Sequence, residues 1–410
     1  MELSIVYSRA LAGIHAPQVC VETHLSNGLP AFSIVGLPET AVRESKDRVR
    51  SAIINSHFSF PDRRITVNLA PADLPKEGGR FDLPIALGIL GASGQVPTDG
   101  FHRHEFLGEL ALDGSGRPVP GVVAAASSAH RQYRHLVTDP SSAPSAALVP
   151  GSEVIGAPDL LTLCAHLNGN APCEKVKPAS AAHQLNYPDL SEVIGQHAAR
   201  RALEIAASGG HSLLLSGPPG AGKTLLASRL PGILPPISTE EALQSLALRD
   251  IQGLNTDVST LQQRPFRHPH HSASPAALVG GGSKPRPGEI SLAHGGVLFL
   301  DELPEFNRHC LEMLREPLES GEITLSRAQH KLTYPARFQL IAAMNPCPCG
   351  YLGDAERSCR CSPDQIQRYR SRLSGPFLDR VDMHVQVHRL PAGQLLQRQN
   401  NAEASAAVRE

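Results

Sequence analysis

Residues 213–230, LLLSGPPGAGKTLLASRL, carry the first group of side chains whose types and spacing can do chemistry. Gly217, Gly222, Lys223 and Thr224 occupy the defining positions of G-x-x-x-x-G-K-[ST], with Pro218, Pro219, Gly220 and Ala221 between them. Glycines let successive backbone N–H groups curl around phosphate oxygens, and a helix opening at the end of such a turn adds its positive dipole end. Lys223 is then placed to reach the β- and γ-phosphates, and the Thr224 hydroxyl to ligate Mg²⁺. Downstream, GGVLFLDE (295–302) is an apolar run that ends in two carboxylates, Asp301 and Glu302. One suits the Mg²⁺ shell and the other can polarise an attacking water. Together the two stretches imply binding and hydrolysis of a nucleoside triphosphate, with ATP and Mg²⁺ as the expected cofactors.

Such groups need a parallel sheet to present them. Leu213 to Leu215 reads as a buried strand, followed by the glycine-rich turn and a helix from about Gly222. A chain of 410 residues with 41% hydrophobic content has material for two or three domains. The formal net charge of −1 gives no global pull toward nucleic acid, so any such binding must come from local patches. The absence of tryptophan argues against a broad base-stacking surface. MELSIVYSRALAG lacks a basic leader followed by a long apolar run, and no apolar stretch reaches membrane-span length. The expectation is a cytoplasmic protein with no membrane partner, whose eight cysteines are reduced thiols or metal ligands.

In chain order, residues 2–36 alternate as strands do, and a charged helix is expected from Glu39 to about Ser56. A strand at 64–71, an apolar helix from Asp82 to about Ala92, a strand at 105–114 and an alanine-rich helix at 121–131 follow. Residues 1–168 thus form a mixed α/β domain without a phosphate loop, and the proline-punctuated 169–188 reads as a linker. A phosphate-binding core is expected over 189–390, opening with an amphipathic helix and a V-I-G-Q turn at 193–196. It contains an insert at 264–296, a helix at 309–320, a hairpin at 321–338 and a buried strand, QLIAAMNP, that ends at Asn345.

The first domain resembles the proteolytic domain of the Lon family, an α+β fold of the ribosomal S5 domain 2-like type. The resemblance lies in PKEGGRFDLPIAL (75–87) and GELALDGSGRPVPGV (108–122). The positions of that family's nucleophilic serine and its lysine fall at Arg80 and about Val123, so the resemblance implies a catalytically silent domain. Residues 189–390 resemble AAA+ ATPases, which implies a three-layer αβα core. That resemblance gives Val193, Ile194 and Gly195 to the adenine edge, Asn345 to the γ-phosphate or its water, and Arg380, in SGPFLDRVDMHVQV, to the neighbouring subunit's nucleotide. A salt bridge from Arg380 to Asp379 or Asp382 is the structural alternative.

The hairpin before the Asn345 strand, the insert and the leading Lon-like domain make the whole of 1–390 similar to the ComM/YifB family of magnesium-chelatase-like AAA+ proteins; RPFRHPHHSASPAALVGGG and MNPCPCGYLGD are its most specific stretches. The resemblance implies a hexameric, ATP-driven motor that promotes branch migration of DNA during natural transformation, acting on single-stranded or branched DNA. Arg327, His330 and Lys331 at the hairpin turn, and Lys284 and Arg286 in the insert, are the candidate DNA contacts. Alternatives are a chelatase subunit driving metal insertion, an ATP-dependent remodelling protein without DNA, an ATP-dependent protease, which both catalytic positions disfavour, and a non-hydrolysing switch, which Glu302 disfavours. Residues 391–410 read as the approach to a helical lid, and without that lid the expectation is a folded chain that is mostly not hexameric and a poor ATPase alone.

Cys347, Cys349, Cys359 and Cys361 form two C-x-C pairs that can close around one tetrahedral Zn²⁺, or serve as reduced or redox-active thiols. Cys20, Cys164, Cys173 and Cys310 are scattered. His268, His270 and His271 have no carboxylate nearby in sequence and are read as structural or partner-contacting.

Overall fold

The structure, a computed structural model, describes residues 2–177, 187–254, 256, 261–282, 285–327, 330–391 and 403–409. Two compact units divide the chain: Met1–Ala181 with Arg249–Val258, and Ala182–Leu248 with Ser259–Glu410.

The first unit is built on a four-stranded sheet in the order Leu3–Arg9, Gln18–Ser26, Arg64–Ala70, Ala31–Val35. The first three strands pair antiparallel and the last runs parallel to Arg64–Ala70. Val19, Val21, Thr23 and Leu25 alternate onto the buried face, as a pleated strand with one covered side requires. Against that face lie two helices. Thr40–Asn55 turns Val42, Val49, Ala52 and Ile53 inward. Asp82–Ala92 is apolar all round beyond its first residue and is buried along its whole length. A second sheet of three parallel strands, His104–Phe106, His135–Thr138 and Val154–Gly156, packs nearby. Its Glu105 is fully buried and accepts hydrogen bonds from Arg9 Nε and Nη2, both at 2.6 Å, and from Arg134 Nη1 at 3.1 Å.

The strand expected over 105–114 breaks in two, because the Gly108 N–H leaves the sheet for the Arg80 carbonyl at 3.1 Å and Glu109–Leu110 pairs back on Gly116–Arg117. Arg249–Val258 also departs from the expected contiguous core at 189–390. Asp250 is buried in the first unit, where its Oδ2 accepts from Val123 N at 3.0 Å at the start of helix Val122–Arg131. Free N–H groups and the dipole at a helix start favour a carboxylate there. Buried Arg80 faces the same place: its Nη2 donates to Pro120 O at 2.7 Å, and burial pulls its pKa down to about 10 against the attraction of Asp250. Arg80 and the Val123 N–H are thus drawn to one carboxylate, that of Asp250.

The second unit holds five parallel strands in the order Phe266–Arg267, Val297–Leu300, Gln339–Met344, Leu213–Ser216, Met383–Gln386. Leu213, Leu215, Val297, Phe299, Ile341 and Ala343 point into one core with helices His197–Gly209 and Lys223–Ile233. Leu214, Leu298, Leu300, Leu340, Ala342 and Met344 point into the other. Two buried faces explain the unbroken apolar runs, and the result is a three-layer αβα core. The stretch 264–296 is less of an insert than expected, since Phe266–Arg267 supplies the edge strand beside Val297–Leu298. The helix expected at 309–320 is two, Arg308–Glu312 and Arg315–Ser320. Pro317 has no N–H to bond back across the break, so the second helix starts afresh just ahead of it. Glu322–Arg327 and His330–Pro335 form an antiparallel hairpin. The short helix Ser405–Arg409 docks by Ser405, whose N–H bonds the Asp189 carboxylate at 3.2 Å, and by Arg409, which bonds the Gly232 carbonyl. No helix of the described residues is long and apolar enough to cross a membrane.

His294 is fixed inside this unit in its neutral form. Its Nε2–H donates to Gln244 Oε1 at 2.8 Å, and Nδ1 accepts from Arg337 N at 3.1 Å. Burial, aided by Arg337 and opposed by Glu241, lowers its pKa to about 4. A histidine whose folded pKa lies below its unfolded value gives stability that is complete above about 6.5 and is lost as pH falls toward 4. The expected loss is about 3 kcal/mol by pH 4. Denaturant midpoints measured across this range in the wild type and in His294→Gln check it: the variant must show the shallower pH dependence, and equal slopes refute the assignment.

Candidate nucleotide-binding site

Parallel order puts the C-terminal ends of Leu213–Ser216, Val297–Leu300 and Gln339–Met344 at one edge of the sheet, and the three polar stretches expected to do chemistry leave from that edge. Gly217 begins the turn where a Cβ would collide with the Val387 carbonyl. Gly220 and Gly222 adopt φ of 78° and 90°, a left-handed backbone that aims successive N–H groups to one side, and a Cβ at either would face open space. Helix Lys223–Ile233 starts directly after.

The side chains of the loop and of the two neighbouring strand ends converge. Lys223 Nζ donates to the carbonyls of Gly217 at 2.7 Å and Pro218 at 3.0 Å, and to Asn345 Oδ1 at 3.1 Å. Burial lowers its pKa, with Asp301 opposing. Thr224 Oγ1 donates to Asp301 Oδ2 at 2.7 Å, and the other Asp301 oxygen accepts from Glu302 N at 2.9 Å. A cavity of about 360 Å³ is lined by Pro219 to Leu225, Asp301, Glu302, Met344 and Asn345. A hydroxyl and a carboxylate side by side are the oxygen donors that Mg²⁺ takes, so the residues present fit that ion.

The expected base edge lies at a second cavity of about 480 Å³, where Val193 and Ile194 meet Gln196, Gly220 to Gly222, Glu356, Arg389 and Leu390. Gln196, at φ 49°, donates to the carbonyls of Ala221 at 3.1 Å and His388 at 2.6 Å and so ties this wall to the loop. Arg389 does the same from the other side, donating to Pro219 O at 3.0 Å while held by Glu356 Oε2 at 3.1 Å.

Arg380 is not among the residues lining either cavity. It pairs with Glu319, not with Asp379 or Asp382; Asp382 instead accepts from Ser212 N at 2.7 Å. The four clustered cysteines come together, with Sγ atoms all within 4.8 Å of one another. Lys331 and Arg286 are exposed, Arg327 and His330 are backbone partners across the hairpin end, and Lys284 lies outside the described residues.

Sequence reasoning missed three participants. His271 Nδ1 lies 2.9 Å from Glu302 Oε2, so the histidine stretch reaches the acidic pair although no carboxylate neighbours it in the chain. Glu302 itself has φ of 53°, unusual for a residue with a Cβ. Glu356 and Arg389 gave no signal beyond being charged residues near the cysteines and the last core strand.

The fold and this site define a P-loop protein of the AAA+ class. The family description "Magnesium chelatase, subunit ChlI" matches residues 189–395, and "Subunit ChlI of Mg-chelatase" matches 21–141. The chain is 54% identical over 411 residues to the protein YifB of Salmonella typhimurium and 52% identical over 416 residues to "Competence protein ComM" of Haemophilus influenzae; each match covers 100% of this chain and 81% of the relative. A magnesium-chelatase 38 kDa subunit of Acidiphilium rubrum is 37% identical over 70 residues, covering 17% of this chain and 20% of that one. The chain belongs to the ComM/YifB family of magnesium-chelatase-like proteins.

Lys223→Ala is expected to abolish nucleotide binding, because it removes the only ammonium in the cavity lining. Glu302→Gln is expected to keep binding within about twofold and lower turnover by at least about a hundredfold, the scale of a lost catalytic base. Binding of a fluorescent ATP analogue and steady-state phosphate release separate the two, and normal turnover in Glu302→Gln would remove that residue from the chemistry.

Proposed function

We propose that this protein is an ATP-hydrolysing ring motor that moves branched or single-stranded DNA, driving branch migration in recombination during natural transformation. The observation that carries the ATPase half is the meeting in one cavity of Lys223 with Asn345 at 3.1 Å and Thr224 with Asp301 at 2.7 Å. Mg²⁺, held by Thr224 and Asp301, would supply neutralising charge to the phosphates. The remaining work belongs to the chain. Backbone N–H groups of the loop and Lys223 bind the phosphates, Asn345 orients the γ-phosphate end, and Glu302 accepts a proton from the attacking water. Val193, Ile194 and Arg389 bound the base. Arg380, presented to a neighbour's nucleotide in a hexameric homo-oligomer, would stabilise developing charge there. Zn²⁺ in the four-thiol cluster completes the cofactors, the setting is the cytoplasm, and the Lon-like unit has no protease role.

The DNA half is supported by the exposed Lys331 next to the hairpin end, by the exposed Arg286, and by the name of the Haemophilus relative, a competence protein. A chelatase-type ATPase acting on a metal-insertion partner is the second reading, supported by the two family descriptions. ATP turnover measured with and without a four-way DNA junction or single strands decides between them: stimulation supports the motor, and indifference to DNA overturns it. Contacts to phosphate are tolerant of sequence and sensitive to salt. Arg327→Ala with Lys331→Ala is therefore expected to weaken binding evenly across sequences and to reduce the slope of log affinity against log salt by about one to two. Unchanged affinity and slope would remove the hairpin from the interface.

A further inference from the structure

The segment from Pro346 to Cys361 joins the Asn345 strand to helix Pro363–Arg370 and has no regular secondary structure. Its only buried hydrophobic side chain is Cys347. What draws it together is the thiol cluster: Cys347 Sγ lies 3.4 Å from Cys349 Sγ and 3.6 Å from Cys359 Sγ, and Cys349 and Cys359 are 3.6 Å apart, with Cys361 in the same group. Four sulfurs about 2.3 Å from a tetrahedral Zn²⁺ stand about 3.8 Å from one another, so the three measured pairs need open by only a few tenths of an ångström. All four donors are soft sulfur and no carboxylate joins them, which selects zinc over magnesium or calcium.

The same segment forms part of the nucleotide site. Gly350 has φ of 86° and packs so closely on the phosphate loop that a Cβ there would stand 2.7 Å from Pro219 Cδ. Further along, Asp354 Oδ1 accepts from the N–H groups of Glu356 at 2.8 Å and Arg357 at 2.9 Å, which turns Glu356 toward Arg389. Glu356 and Arg389 are both wall residues of the base-side cavity, and Arg389 reaches on to the Pro219 carbonyl. A loop with so little core of its own keeps this wall in place only if something ties its ends together.

We infer that the four thiolates bind one zinc ion per chain and that the metal-held loop is a working wall of the nucleotide site, so that zinc occupancy sets the affinity for ATP. The inference rests on the ATP-binding reading above. Zinc binding by Cys347, Cys349, Cys359 and Cys361 displaces their protons and makes four Zn–S bonds; no electron is transferred. Losing the metal frees Gly350 from Pro219 and Glu356 from Arg389, and the base end of the nucleotide loses its support.

The test uses the full chain. Elemental analysis of protein purified without added metal is expected to give about one zinc per chain. Stripping with a chelator under reducing conditions is expected to weaken ATP binding about tenfold or more, and adding zinc back restores it. Circular dichroism shows whether the stripped chain keeps its fold. Glu356→Ala separates the linkage from general unfolding: it removes no thiol and is expected to keep the zinc yet bind ATP about tenfold more weakly. Cys20→Ser, at a thiol outside the cluster, should match the wild type in both. Absence of zinc overturns the inference. So does equal ATP affinity with and without zinc, or wild-type affinity in Glu356→Ala, and in those cases the nucleotide site itself stands. A zinc-loaded wild type that binds no ATP overturns the nucleotide reading and the linkage with it.

Discussion

The parallel pairing of Leu213–Ser216 between Gln339–Met344 and Met383–Gln386 is the constraint on which the second unit depends. Parallel strands all end on the same side, so one hydrogen-bonding pattern sends Gly217, Asn345 and Val387 away from a single edge. With Val297–Leu300 paired to the far side of Gln339–Met344, the acidic pair leaves that edge as well. No local propensity could bring Lys223 to Asn345 or Thr224 to Asp301; the register does it. The cost is a sheet edge crowded with backbone, visible at Gly217, where only glycine clears the Val387 carbonyl.

The alternation of side chains between two cores makes this edge rigid. Every residue of Val297–Leu300 and Gln339–Met344 is buried, and successive residues face opposite helical layers. A slip of one residue in either strand would exchange the two faces and move Asp301 or Asn345 off the loop. Packing and chemistry therefore select the same register. His294 shows the polar counterpart below the sheet's other end: a buried imidazole held neutral by one donor and one acceptor, stable only while uncharged.

Much of this was legible in the sequence because it is written locally. The phosphate loop, the run ending in Asp301 and Glu302, and the strand ending at Asn345 are each a few consecutive residues whose types follow from burial and phosphate chemistry. The helix at Asp82–Ala92 was equally plain, being apolar throughout its interior. The failures have a common physical origin in partners far apart in the chain. Arg380 was weighed against Asp379 and Asp382, its sequence neighbours, yet it pairs with Glu319. Asp250 falls inside the span expected as one contiguous core but serves the start of Val122–Arg131. His271 had no acid near it in sequence and stands beside Glu302. A charged side chain reveals its type in a sequence but not its partner.

The His271–Glu302 contact also bears on how the acidic pair is positioned. Glu302 sits in a left-handed conformation, with its backbone N–H on Asp301 and its carboxylate against an imidazole from the stretch that leads out of the edge strand Phe266–Arg267. His270 lies tilted against His271 with ring centroids 4.1 Å apart, and Phe306 meets His271 edge-on. The carboxylate that would take a proton from water is thus positioned by residues outside the phosphate loop and the acidic strand. None of the hydrogen bonds given above for Lys223 and Thr224 involves residues 268–272. In this architecture the loop contacts and the position of the Glu302 carboxylate thus rest on different segments, the first on 217–224 and the second on the stretch that bears His271.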